Sequence, residues 1–170
     1  MDARSIATAA VFGALWGVIN YLVAPYVFRL TRLPFFCDII GLVSLLTAIW
    51  VARKPGTGTL VGLTATFITL ILRPGAFYFF GFTAASVLVD VLIYIAGYRR
   101  VFEEKPLALI PLLSLVTAAT AGLIIGAFFM HFKAIAGVLT WTGLHAVGGL
   151  LGALVAIPVI KGLGRRLGRP

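Results

Sequence analysis

Charge is scarce in this chain: only 11% of its 170 residues are Asp, Glu, Lys or Arg, while 61% are hydrophobic. Soluble globular chains are about a quarter charged, so that class is excluded. Acid is scarcest, with five Asp and Glu against 14 Lys and Arg, a formal net charge of +9. Such an excess can signal a nucleic-acid partner, but the basic residues sit in short connections between apolar runs. No basic-aromatic RNA motif or continuous basic helix is present, which argues against nucleic acid. The single cysteine, Cys37, excludes an internal disulfide and a cysteine-rich metal site. A GxxxxGK[ST] loop is missing, so the chain does not hydrolyse ATP by that route. Nothing in the sequence asks for a cofactor or a metal.

What is abundant is uninterrupted apolar sequence. Segments 5–28, 106–130 and 134–160 contain no Asp, Glu, Lys or Arg, and each exceeds the ~20 residues that cross a bilayer as a helix. The expected fold is all-α: a polytopic membrane protein forming one compact bundle of six transmembrane helices over 1–170. Arginine, lysine, proline and glycine punctuate the runs at 29–32, 53–56, 73–75, 99–106 and 131–133. The spans so delimited are 5–28, 33–52, 57–72, 79–98, 107–130 and 134–160. The first is read as a retained helix, because no small-residue cleavage site follows it in an exposed tail. The third is short because Pro74 and Gly75 interrupt it, and a short span is tolerated where its end lines a cavity.

Positive charge orients the bundle in the cell membrane. Arg4, Arg53, Lys54, Arg99, Arg100, Lys105, Lys161, Arg165, Arg166 and Arg169 fall on one side of a six-span topology. Arg29, Arg32, Arg73 and Lys133 fall on the other. Ten against four places both termini in the cytoplasm.

Polar side chains within the spans are the candidate site. Asp90 stands about 11 residues into the fourth span, near mid-membrane at ~1.5 Å per residue. A carboxylate at that depth costs at least ~2.5 kcal/mol and faces a cavity or a partner. Asp38 lies nearer the outer boundary, where it either joins a site or simply reaches water or Arg32. His145 is at about the depth of Asp90, with Trp141 one turn outward on the same face. Stacking from Trp141 and a hydrogen bond from His145 suit a flat heteroaromatic ligand; interhelical glue and interfacial anchoring are the plainer roles. Asn20 is a further polar candidate. Between the third and fourth spans, RPGAFYFFG (73–81) places Phe77 and Tyr78 in a glycine-flanked aromatic loop, either an interfacial belt or a lid. On the first span, Ala10 and Ala14 with Gly13 and Gly17 form a small-residue stripe that lets another helix approach closely.

Six short spans, a small-residue stripe and outer polar residues without an ATPase motif resemble the substrate-binding S component of an energy-coupling-factor (ECF) transporter. The closer resemblance is to the hydroxymethylpyrimidine/thiamine type, the YkoE-like family. It rests on 50–100: WVARKPG (50–56), the glycine-bearing aromatic loop, and Asp90 eight positions before Tyr98, Arg99 and Arg100. That family would have Glu in place of Asp90, and a second acid in the third span, where LVGLTATFIT (60–69) offers threonines. The resemblance implies capture of a vitamin or vitamin precursor from outside. It also implies docking on a transmembrane T component with two cytoplasmic ATPase subunits, and no catalysis by this chain. Asp90, His145, Trp141, Asn20, Asp38, Phe77 and Tyr78 would then bind substrate, and Ala10, Gly13, Ala14 and Gly17 would meet the T component. Two alternatives stand beside it: a small membrane enzyme with an Asp90/His145 acid–base pair, or a free-standing proton-coupled carrier.

Overall fold

The computed structural model describes residues 1–168; Arg169, counted among the basic residues above, lies outside them. Seven α-helices occur among the described residues: α1 (Ala3–Leu22), α2 (Ala24–Thr31), α3 (Phe35–Ala52), α4 (Thr57–Leu72), α5 (Phe79–Ala96), α6 (Pro106–Phe128) and α7 (Ile135–Leu167). Five of them, α1, α3, α5, α6 and α7, are long and apolar enough to cross a membrane, and α4 is a shorter apolar helix.

The helix ends follow local chemistry. Asp2 caps α1, accepting 2.8 Å and 2.7 Å hydrogen bonds from the Ser5 N–H and hydroxyl, which hold its carboxyl below the usual range. The expected first span, 5–28, is two helices. Pro25 has no N–H to offer the Tyr21 carbonyl and its ring crowds that residue, so α1 stops at Leu22 and α2 turns away. Gly97, at φ +87°, ends α5 at Ala96, short of the expected 98. A π-helical turn, Arg100–Glu104, then carries an ion pair from Glu103 to Arg53 and another from Glu104 to Arg99 at 3.2 Å. At the other extreme α7 runs for 33 residues, about 50 Å and well beyond a ~30 Å hydrocarbon core. Its last turns carry Lys161, Arg165 and Arg166 beyond the uncharged stretch that ends at Ile160.

Around the bundle the helices follow the order α1, α4, α5, α6, α7, α3 and back to α1, with α3 also touching α4. The most extensive packing is between α6 and α7. There Gly149 leaves no room for a β-carbon: one would lie 2.5 Å from the Ser114 carbonyl oxygen. The interior is Trp16, Leu46, Ile49, Trp50, Phe79 and Ile93, all fully buried. The outward surface is also apolar, with Phe128 75% and Ile95 74% exposed, an arrangement suited to lipid and not to water.

Candidate functional site

The helix ends opposite the two termini enclose a cavity of about 280 Å³. Every long helix except α4 contributes to its wall directly, and α4 does so through Arg73, the residue that ends it. Trp16, Phe79 and Phe82 pack beneath, with ring centroids 5.1 to 5.8 Å apart. Pro25 shapes the opening: the helix break it causes leaves Asn20 on the last turn of α1 and turns Phe28 and Arg29 of α2 over the cavity.

With Asn20, His145 is one of two fully buried polar residues in the wall. Its Nδ1 lies 2.8 Å from Oδ1 of Asp38, and both residues are 2% exposed. An ionised carboxylate only accepts, so against it the Nδ1 nitrogen is the donor. Nε2 of His145 has no partner, and neither has Oδ2 of Asp38. Asp38 stands in the first turn of α3, where the helix dipole favours negative charge. The reading of Asp38 as reaching water or Arg32 is therefore corrected: it faces inward, against Gly148 of α7.

Trp141 meets His145 edge-on, centroids 5.2 Å apart, as their spacing of four anticipates. The rings of Phe28 and Phe132 also lie against it, with centroids at 6.1 Å and 6.2 Å. Its indole N–H is unpartnered, as is Oδ1 of Asn20, which is 2% exposed. The aromatic run divides in the turn before α5: Tyr78 lines the cavity, whereas Phe77 is 57% exposed and lies outside its wall. Phe77 is thus removed from the candidate set.

Asp90 is removed as well, by geometry. Its Oδ2 accepts hydrogen bonds from the N–H (3.2 Å) and hydroxyl (3.0 Å) of Thr59. It caps the first turn of α4 from the neighbouring helix. The cavity lies at the other end of α4, about 20 Å away by helical rise. An Asp90/His145 pair does not form, and the partner of His145 is Asp38.

The small-residue stripe also separates. Gly13 and Gly17 pack against Thr64, Ala65 and Ile68 within the chain, so these two glycines are used internally. Ala10 remains exposed and Ala14 is half-buried.

Sequence reading missed Arg29, Arg73, Phe28, Phe82 and Cys37 in the cavity wall. Charge counting along the sequence assigns both arginines to topology alone. A usable signal was present: the outer connections carry arginine and no acidic residue.

In comparisons with known proteins, no family model, no curated protein and no solved structure matches this chain.

Proposed function

We propose that the chain is the membrane-embedded substrate-binding (S) subunit of an ECF-type importer, capturing a vitamin-sized aromatic heterocycle from outside the cell. The observation that carries this reading is the cavity: about 280 Å³, aromatic-walled, with unpartnered polar atoms on Asn20 and Trp141. Buried polar groups without partners are costly in an apolar setting unless a ligand or water meets them. The six apolar helices span the membrane in this reading, and the basic residues near the termini keep both ends cytoplasmic. The cavity then opens outward. A T component and two ATPase subunits would supply the energy, consistent with the absence of a phosphate loop.

The test is ligand retention by the purified full chain. Native mass spectrometry of protein from its own membranes is expected to show a bound small molecule. Trp141→Ala and Asn20→Ala should each weaken its binding roughly 5- to 150-fold, the scale of a lost stacking surface or a polar group left unsatisfied. Asp90→Asn should lower stability and leave affinity unchanged. If Asp90→Asn abolishes binding and Trp141→Ala does not, the cavity is the wrong site.

Docking makes a separate expectation. With Gly13 and Gly17 packed internally, Ala10 is the exposed point of close approach for a T component. Ala10→Trp should stop cellular uptake and spare binding by the isolated chain. Loss of both together would return this face to the chain's own packing.

A further inference from the structure

The cavity wall has two cations and no anion. Arg29 and Arg73 both line it, while each acidic side chain is engaged elsewhere. Asp2 caps α1 and Asp90 caps α4; Asp38 holds His145, Glu103 holds Arg53, and Glu104 holds Arg99. Among the described residues, neither cavity arginine has a carboxylate partner.

Arg73 is positioned but weakly used. The Pro25 break leaves the Tyr21 carbonyl without its helical donor, and Nη2 of Arg73 sits 3.5 Å from that oxygen. Nη1 is 3.4 Å from the Tyr78 hydroxyl, and the guanidinium carbon stands 5.6 Å from the centre of the Tyr21 ring. A guanidinium closes to about 2.7–2.9 Å on an anionic oxygen and offers five N–H donors. The contacts Arg73 has are longer than that and engage only two of its nitrogens. Beside it, Asn20 is buried with Oδ1 unpartnered. Phe28, Tyr78, Phe82 and Trp141 supply flat apolar surface in the same space.

We propose that the cavity binds a small planar aromatic anion, a carboxylate or phosphate ester. Its charge lies between Arg29 and Arg73, and its ring among Phe28, Tyr78, Phe82 and Trp141. The inference rests on the cavity being the ligand site and narrows the ligand's class. Cationic thiamine would meet two guanidinium groups there and no carboxylate in the wall, so the ligand is an acid. Planar, forked guanidinium groups suit the two oxygens of such a group better than a neutral amide.

The test is calorimetric titration of the full chain in phosphatidylcholine nanodiscs with matched pairs. These are nicotinate and nicotinamide, indole-3-acetate and indole-3-acetamide, and pyridoxine 5′-phosphate and pyridoxine, with thiamine and hydroxymethylpyrimidine alongside. At least one anion should bind about tenfold or more tightly than its neutral partner. Arg73→Gln should erase that preference, the anion losing about tenfold more affinity than its neutral partner, and Arg73→Lys should restore part of it. Arg29→Gln, at an exposed position, repeats the test where folding is least at risk. Tighter binding of thiamine or a neutral compound than of every anion overturns the inference and leaves the ligand-binding reading standing. Binding of no probe at all overturns both. An anionic lipid headgroup offers the same chemistry as a free acid, so the titrations are repeated with phosphatidylglycerol in the discs. Preference that persists supports a soluble ligand; preference that vanishes assigns the arginines to the bilayer and overturns the proposal.

Discussion

Asp38→Ala is expected to destabilise the folded protein by about 3–5 kcal/mol. The residue is 2% exposed and its Oδ1 is 2.8 Å from Nδ1 of His145. Removing it leaves an imidazole N–H facing apolar helices without an acceptor, and the alanine also leaves a void beside Gly148. His145→Ala should cost a similar amount, because it strands the carboxylate instead. Once one partner is gone, loss of the other removes the stranded group. The double variant should therefore be more stable than the sum of the single costs by roughly 1 kcal/mol or more. Reversible unfolding of the four proteins in detergent measures that coupling directly. Strict additivity would mean that the two side chains do not depend on each other.

Gly149→Ala is expected to cost about 1–3 kcal/mol, and Gly149→Val more. An added β-carbon would stand 2.5 Å from the Ser114 carbonyl oxygen and 2.7 Å from the Ala118 β-carbon. Both belong to α6, and a backbone carbonyl cannot rotate away as a side-chain tip can. The whole α6–α7 contact must open instead. Gly143 and Gly162 lie on the same helix with nothing within 4 Å of the equivalent position. Alanine there should stabilise by up to about 1 kcal/mol through its better helix propensity. Melting of the three alanine variants side by side decides the point. Gly149→Ala as benign as Gly143→Ala would show that α6 and α7 pack less closely than the structure has them.

The same contrast explains how far the sequence could be read. Proline, glycine and charge mark where apolar helices stop, and α4 occupies 57–72, the bounds its flanking residues indicate. The first span was drawn too long, although the cause, Pro25, was in plain view in the sequence. Apolar residues on both sides of it maintained the hydropathy and hid the break. Spacing along one helix also transfers well: Trp141 and His145 touch because residues four apart share a face.

Partners on different helices did not transfer, and Asp90 shows why. Its depth along α5 follows from counting residues, and depth suggested His145. Contact also requires that the two helices be neighbours and that the side chains face each other. The bundle closes in the order α1, α4, α5, α6, α7, α3, which is not chain order. That ring sets α4 beside α5, so Asp90 caps α4; it sets α3 beside α7, so Asp38 meets a histidine 107 residues away. Composition and punctuation alone determined an all-helical, lipid-suited chain with charged ends and a polar minority. Which polar groups meet was decided only by tertiary packing, because rise per residue gives height along an axis but not the direction a side chain takes around it.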